Sequence, residues 1–538
     1  MASRGRGVQG KVTIAAKGAH RVILRNAAVS WLAIATSQVV ALVLTPLIIY
    51  FLGKETYGVW YLLVSISWLL SSLDLGLSTA LVRHVAARLA TGDRQGARSF
   101  VATCLSLFSM QAVLVALVYL VLFIWLGDIF TIPATQLWPA RWVLLCLAVA
   151  SVLSLPSRIF GGMLVAREHY VVTNLVETAG TVFRFILMLG VLWIGGGLVS
   201  VGMVHAAVLL AGYLALAGFA LRRVDLGGPV RFGWQGSLAK QAITFGGDTI
   251  LMNLGERVRN QLPVWLLGMW ADPVAVARYG VGVRLTTNQV TLVRQGTEVS
   301  RPRYSALEAT GEKEALGKLL LRMALYSSLA ACYIGGGLVL LAGDFITLWV
   351  GPGFELSGAV VRILVGPITL ALALYCCDTM LLGIGRHRVI GLVSLGEALV
   401  VIALGWPLIS RYGVLGGAMA SAGALLLVRP WLVPAYTCRI AGLGLGRFWW
   451  RGPLKAVVAL APAVGLSFWI LSGWPADTWL RLAVVGALYS ALCLPGAWFI
   501  ALDDSERDFW KRMLGDLWER LPRRSPRQDS GDSQDDQG

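Results

Sequence analysis

Long blocks of hydrophobic residues, separated by short polar connections, recur from Asn26 to Leu502. A helix rises about 1.5 Å per residue, so roughly 20 apolar residues cross the hydrocarbon core of a bilayer. Because helices satisfy their own backbone hydrogen bonds in lipid, the pattern predicts an all-α polytopic membrane protein. We predict fourteen spans, at residues 27–51, 57–80, 99–126, 140–163, 174–196, 199–221, 241–270, 274–300, 319–342, 359–384, 389–410, 414–436, 454–473 and 479–501.

The composition agrees with a membrane protein. Of the 538 residues, 57% are hydrophobic and 14% are charged, which leaves no room for a sizeable soluble domain between the spans. The seven cysteines lie in or beside apolar spans without metal-binding spacing, and we expect them to be buried as small hydrophobes. We expect no cofactor, apart from a coupling Na⁺ or H⁺.

The basic residues are distributed unevenly along the chain. The formal net charge is +17, which would also suit a nucleic-acid-binding protein. Of the 46 Lys and Arg residues, however, 34 fall on one side of the predicted topology, 6 on the other and 6 within spans. This positive-inside bias places both termini in the cytoplasm of a cell (inner) membrane protein, and we expect no nucleic-acid partner. The first span is too long for a signal peptide and lacks a cleavage site, so we expect it to remain as a helix.

A short motif occurs twice, as ATGDR at 90–94 after the second span and as ATGEK at 309–313 after the eighth. Together with the span count, it predicts a duplicated six-span unit whose halves are related by an axis along the membrane normal. The predicted divisions are a basic N-terminus (1–25), an N-lobe (26–221), a cytoplasmic linker (222–240), a C-lobe (241–436), two extra spans (437–502) and a C-terminal segment (503–538).

The first two spans of the C-lobe carry far more charge than the other spans. One charge at the centre of a membrane helix costs roughly 2.5–3.5 kcal/mol on insertion scales, so several charges must face a polar interior. Pro263, near the outer end of the first of these spans, is expected to break that helix. The charged residues of this hairpin are Asp248, Glu256, Arg257, Arg259, Arg284, Arg294 and Glu298.

The second span of this hairpin carries a polar stripe at helical spacing. Two hypotheses explain the stripe: a closed network of ion pairs that holds helices together, or a binding site for an anion. Arginines outnumber acids at mid-depth, and a closed network would balance them, which favours the anion. Arginine also suits bidentate binding of phosphate. The stripe consists of Arg284, Asn288, Thr291, Gln295 and Glu298.

Charges of opposite sign one helical turn apart predict local ion pairs within the hairpin. Glu256 would pair with Arg259 or Asn260, and Arg294 would pair with Glu298.

Polar residues in other spans extend the set of candidates. Gln38 lies on a polar side of the first span, which faces either a cavity or a neighbouring helix. Glu177 and Arg184 share one face of the fifth span, as a buried pair or as two cavity charges. Asp74 is expected to cap or break the helical structure before an interfacial helix. Glu397 is either an ion-coupling acid or a structural one.

These observations define two sets of candidates. The candidate substrate-binding residues are Arg257, Arg259, Arg284, Asn288, Arg294, Gln38 and Arg184. The candidate ion-coupling residues are Asp248, Glu256 and Glu397.

The C-terminal segment combines two patterns. Residues 504–521 predict an amphipathic helix on the inner membrane surface, with tryptophan, phenylalanine and leucine on one face. The tail beyond it is disordered by composition.

Three stretches carry a resemblance to a known family. They are FLGKETYGVWYLLVSI from Phe51, LDLGLSTALVRHVA from Leu73 and WLLGMWADPVAVARYGVGVRL from Trp265. With the 6+6+2 layout of spans, they resemble the flippases of polysaccharides or lipid-linked oligosaccharides, within the superfamily that also holds multidrug exporters and the lipid II flippase.

The resemblance implies two six-helix lobes in a V, with a central cavity lined mainly by spans 1, 2, 7 and 8 and alternating access by rocking. On this implication, the cationic cluster holds the pyrophosphate of a polyprenyl-linked glycan, which moves from the inner to the outer leaflet for surface polysaccharide export. The expected partners are this glycan, the bilayer, and a glycan polymerase with its export machinery. The protein would be a monomer and not an enzyme.

Two rival functions belong to other classes. A Na⁺- or H⁺-coupled multidrug or metabolite exporter would centre its cavity on acids and aromatic residues, whereas arginines are in excess here. A membrane glycan polymerase or ligase would need a large outer loop to build its site, and the outer connections here are all short.

Overall fold

The computed structural model describes residues 4–71, 74, 76–473, 477–504, 506–508 and 510–513, including their side chains except those of 4–31, 245–250 and 472. The regular elements of this part are all helical. They are α1 (Arg4–Ser71), α2 (Leu77–Ala90), α3 (Arg94–Ile129), α4 (Ala134–Ala166), α5 (Tyr170–Trp193), α6 (Leu198–Arg223), α7 (Gly236–Trp270), α8 (Pro273–Glu298), α9 (Arg301–Ala309), α10 (Lys313–Val350), α11 (Glu355–Ala373), α12 (Tyr375–Gly383), α13 (His387–Tyr412), α14 (Val414–Leu427), α15 (Arg429–Ala441), α16 (Leu445–Trp449), a π-helical turn (Trp450–Leu454), α17 (Lys455–Gly473), α18 (Trp479–Pro495) and a second π-helical turn (Gly496–Ala501).

Eleven helical segments of the described chain are long and apolar enough to cross a membrane. One of them, Leu32–Ser71, covers most of the first two predicted spans, and its two helices meet at Gly53, which has a non-helical φ of 81°. The charged helices α7 and α8 are not among the eleven. The predicted class, an all-α multi-pass membrane protein, is confirmed, and the number of fourteen spans stays a prediction.

The hydrophobic core is shared at one end of the bundle and divided at the other. We call the end that contains Gly53 and the α7–α8 turn the outer end, as in the predicted topology. One large core there combines residues 48–201 of the N-lobe with residues 264–424 of the C-lobe. Towards the inner end there are two separate cores, one drawn from residues 77–242 and the other from residues 304–449. The two lobes therefore share one core at the outer end and have separate cores at the inner end, where the start of α7 packs with the N-lobe.

The outer junction brings the two lobes together backbone to backbone. Gly58 lies so close to the carbonyl of Pro273 that a β-carbon at position 58 would collide with it. The hydroxyl of Thr131 donates to the carbonyl of Gly268 over 2.9 Å. Small residues permit this approach between membrane helices, so the outer side of the interface is closed in this structure.

The repeated motif has the same conformation in both lobes. Gly92 and Gly311 have left-handed φ values of 78° and 72°. In each turn the next amide, of Asp93 or of Glu312, donates to the carbonyl five residues earlier, over 2.9 and 3.1 Å. Matching turns at matching positions support the predicted duplication.

A second pair of turns extends this correspondence and leads to a stability prediction. Glu168 has a φ of 61°, and its counterpart in the C-lobe, Gly385, has a φ of 77°. A non-glycine residue in this region carries strain of about 1–3 kcal/mol. We expect Glu168→Gly to stabilise the fold by about 1 kcal/mol, because relief of the strain exceeds the added flexibility of the unfolded chain. Thermal unfolding of the purified protein in detergent measures the gain.

The matched control for this prediction is Glu308→Gly, which places the same change at an exposed position of α9. A helical glycine there should lower stability by about 1 kcal/mol. Equal losses of stability in both variants would contradict the interpretation of Glu168 as strained.

Two further predictions concern the segments that follow the second and the last span. Asp74 lies between α1 and α2, where it accepts a hydrogen bond from the amide of Gly76 and pairs with Arg158 over 3.1 Å. The predicted structural role of Asp74 is confirmed. Only the start of the C-terminal amphipathic helix lies within the described residues, where Trp510 packs edge-on against Tyr326.

Candidate functional site

A cavity of about 430 Å³ lies beside the charged hairpin. Its walls come from α7, α8, α11, α12, α13, α14 and α15 of the C-lobe, and Tyr61, Ser65 and Trp68 of the second half of α1 cover it from the N-lobe. Spans 2, 7 and 8 therefore line it as the resemblance implies. No described side chain of span 1 lines this cavity, and helices of the C-lobe core take its place. The charged lining residues are Glu256, Arg259, Arg284, Arg294 and Arg429.

Four charged side chains from four helices form a buried network at one wall. Arg259 of α7 donates to Glu397 of α13 over 2.6 Å, and Arg429 of α15 donates to the same carboxylate over 2.8 Å. Arg429 also donates to Asp378 of α12 over 2.5 Å. The side chain of Glu397 is 0% exposed and that of Asp378 is 3% exposed. Two arginines and two acids therefore balance, as buried charges must.

A second chain of contacts runs along the neighbouring wall. Arg294 of α8 pairs with Glu256 of α7 over 2.5 Å, and its guanidinium lies 4.7 Å from the ring centre of Tyr375. The hydroxyl of Tyr375 donates to Glu298 over 2.6 Å, and Glu298 also pairs with Arg301.

The two local pairs predicted from sequence are therefore wrong. Glu256 contacts Arg294 rather than Arg259 or Asn260, and Glu298 contacts Arg301 rather than Arg294. Glu256 finds Arg294 across the α7–α8 interface, a partner that the spacing along one helix does not reveal, whereas Glu298 pairs with Arg301 three residues further along the chain. The predicted break at Pro263 is also wrong, because α7 continues through it to Trp270.

Pairing reduces the predicted arginine excess but does not remove it. Arg257 has an aromatic partner, with its guanidinium 5.1 Å from the ring centre of Trp68. Arg284 lines the cavity without an ion pair among the described residues, and its Nε is buried without a hydrogen-bond partner. One turn further, Oδ1 of Asn288 is also buried without a partner. These two unsatisfied side chains lie on one face of α8.

The remaining candidates lie elsewhere in the structure. Gln38 donates to Thr291 over 3.4 Å, so it links α1 with α8 instead of lining the cavity. Arg184 does not line the cavity either; it lies in the N-lobe near His205 and does not pair with Glu177. The side chain of Asp248 lies outside the described residues. The structure thus brings Arg259, Arg284, Arg294 and Glu256 together around the cavity, and its lining does not include Arg257, Asn288, Gln38 or Arg184.

Sequence reasoning missed three residues of this region as site residues: Asp378, Arg429 and Tyr375. Asp378 and Arg429 carried one visible signal, since each is an isolated charge in an apolar span and the two have opposite signs. Their partnership with Glu397 was not predictable, because it depends on how α12, α13 and α15 pack. Tyr375 gave no signal that distinguishes it from a residue of the core.

Comparison with known proteins identifies relatives of this chain. A family model described as "Polysaccharide biosynthesis protein" matches residues 23–307, more than half of the 538 residues. The uncharacterized membrane protein EpsK of Bacillus subtilis (strain 168) is 21% identical over 482 residues, which cover 86% of this chain and 92% of that protein.

Solved structures confirm the fold. The lipid II flippase MurJ in an inward closed conformation superimposes with a TM-score of 0.68 at 10% identity, over 90% of this chain and 99% of that one. An inward-facing multidrug resistance MATE family transporter of the MOP superfamily has a TM-score of 0.67 at 14% identity, over 76% of this chain and 96% of that one. The family predicted by resemblance is confirmed: the chain belongs to the polysaccharide biosynthesis protein family and has the fold shared by these two transporters.

Proposed function

We propose that this protein is a flippase that moves a polyprenyl-pyrophosphate-linked oligosaccharide from the inner to the outer leaflet of the cell membrane, for surface polysaccharide export. The observation that carries the proposal is Arg284. This guanidinium lines a membrane-depth cavity, has no acidic partner among the described residues and keeps a buried Nε unsatisfied. A cation in that position needs an anion.

The chemistry of arginine selects the kind of anion. A guanidinium offers donors in a planar fork that match two phosphate oxygens, and it stays charged at any physiological pH. In a polyprenyl-linked sugar, the anionic part is the pyrophosphate, which joins the apolar polyprenyl chain to the polar sugar. It would occupy the cavity, while the polyprenyl chain would remain in the bilayer.

The arrangement of the cores supports loading from the inner side. The lobes share one core at the outer end and have separate cores at the inner end, so rocking about the outer junction would change access to the cavity. The polysaccharide biosynthesis family favours a glycan, and the likeness to the lipid II flippase MurJ favours a lipid-linked substrate.

The cellular setting belongs to the same proposal. Both termini would lie in the cytoplasm, and the chain would act as a monomer in the cytoplasmic membrane. A glycan polymerase and export machinery would receive the product.

One rival function has specific support, since the MATE fold match also suits an exporter of drugs or metabolites. The pairing of charges counts against it. The one acid among the described lining residues, Glu256, is paired with Arg294 rather than available to a cationic drug. Arg284 adds positive charge that would repel such a substrate.

Reconstitution tests the proposed function directly. The full chain, in liposomes, should accelerate the movement of a fluorescent prenyl-pyrophosphate disaccharide between leaflets at least tenfold over protein-free vesicles. A cationic dye in the same vesicles serves as the substrate for the rival function. If the folded protein moved the dye and not the pyrophosphate lipid, the drug-exporter hypothesis would replace this one.

A further inference from the structure

Arg259 is part of both the buried ion-pair network and the cavity wall. Its Nη1 bonds to Glu397 over 2.6 Å. Its Nε and Nη2 bond to Oδ1 of Asn260, over 3.2 and 3.1 Å, and both residues line the cavity. The side chain of Arg259 is 14% exposed, whereas that of Glu397 is 0% exposed. An anion that enters the cavity therefore meets a guanidinium that is already bonded to a carboxylate.

Glu397 is fixed in place without Arg259. Arg429 holds it by two hydrogen bonds, from Nε to Oε1 over 2.8 Å and from Nη2 to Oε2 over 3.3 Å. Arg429 is anchored in turn by Asp378 over 2.5 Å. Since a bidentate arginine–carboxylate pair has a defined geometry, Glu397 stays where it is when Arg259 moves. Arg259, held to Glu397 by one nitrogen, is the member of the network that is able to leave.

We propose that Glu397 is an internal competitor of the substrate for Arg259. The guanidinium of Arg259 leaves Glu397 to bind the substrate's phosphate, and it returns to Glu397 when the substrate leaves. The inference rests on the proposed function, because it concerns the same phosphate-binding cavity. A transport site has to bind well enough to load and weakly enough to unload. A buried carboxylate beside the binding arginine meets both needs, since it lowers the net affinity and offers Arg259 a partner after release.

The decisive variant is Glu397→Gln. It leaves Arg429 and Asp378 as a balanced pair, and it leaves Arg259 facing a polar cavity, so the fold is expected to survive. Without the competing carboxylate, the purified full chain in nanodiscs should bind farnesyl pyrophosphate about tenfold more tightly than the wild type. In proteoliposomes the same variant should move the prenyl-pyrophosphate lipid several-fold more slowly, because release becomes limiting. A residue that only supported the fold would not raise affinity while lowering turnover.

Two further variants give the experiment its controls. Asp378→Asn removes the same charge from the same network but leaves Glu397 bonded to Arg259, so it should not tighten binding. Glu397→Asp keeps a carboxylate near Arg429 and withdraws it from Arg259, so it should tighten binding to a smaller extent than Glu397→Gln, and it serves as the test should the glutamine variant fail to accumulate.

The outcomes separate this inference from the proposed function. Unchanged or weaker binding of farnesyl pyrophosphate by the position-397 variants would overturn the competitor role, with the flippase proposal intact. Tighter binding by Asp378→Asn as well would also overturn it, because a general loss of negative charge would then explain the effect. A wild type that binds no farnesyl pyrophosphate at all would overturn both.

Discussion

Arg284→Ala should abolish display of the surface glycan while the protein accumulates in the membrane at its normal level. The guanidinium has no acidic partner among the described residues, so its removal leaves no buried carboxylate uncompensated. Each charge-assisted hydrogen bond to the pyrophosphate contributes about 1.5–3 kcal/mol. Loss of two such bonds would lower substrate affinity at least a hundredfold. Glycan display is measured on intact cells, and protein level in isolated membranes.

Two further variants test the role of the cavity arginines: one separates the bidentate fork of Arg284 from its charge, and the other removes a second arginine. Arg284→Lys keeps the charge but loses the fork, so it should retain partial display. Arg259→Ala should also impair display, because it removes a second cavity arginine, although Glu397 keeps its two bonds to Arg429. Normal display from stable Arg284→Ala and Arg259→Ala variants would exclude phosphate binding by this cavity.

The sequence was sufficient to predict the class of fold, whereas the duplication and the site on α7 and α8 stay predictions. Hydrophobic block length and the bias of basic residues are properties of the chain itself, and the ATGDR and ATGEK turns proved to have matching backbone geometry. Two residues of the predicted polar stripe of α8, Arg284 and Asn288, have a buried polar atom without a hydrogen-bond partner, and so does Gln289, which the stripe did not include.

The pairing of the charges was not predictable from the sequence. Glu397 and Arg429 are 32 residues apart, and Arg259 and Glu397 are 138 residues apart, so only the packing of α7, α13 and α15 makes them neighbours. Arg259 and Arg294 therefore counted towards an arginine excess that their acidic partners largely cancel. An excess of charged residues of one sign in a membrane hairpin indicates a polar interior. Which of the cations is unpaired follows only from the three-dimensional arrangement.

Arg429 should show the opposite behaviour from Arg284, with the fold rather than the function as the first loss. Arg429→Met leaves Asp378 buried without its arginine, while Glu397 keeps only Arg259, and breaking a buried pair in this way costs about 3–5 kcal/mol. We expect a marked fall in the amount of protein in membranes and in the midpoint of thermal unfolding. Arg429→Lys should be destabilised less, because it keeps the charge while losing the bidentate geometry.

The double variant Arg429→Met with Asp378→Asn decides whether charge balance is the cause. It removes one charge of each sign and leaves Arg259 paired with Glu397, so the network is again neutral. If uncompensated charge destabilises the single variant, the double variant should regain a large part of the lost stability, measured as unfolding midpoint and membrane level. A double variant no more stable than Arg429→Met would instead assign the loss to packing around the large arginine side chain, because Met fills less of that space in either background.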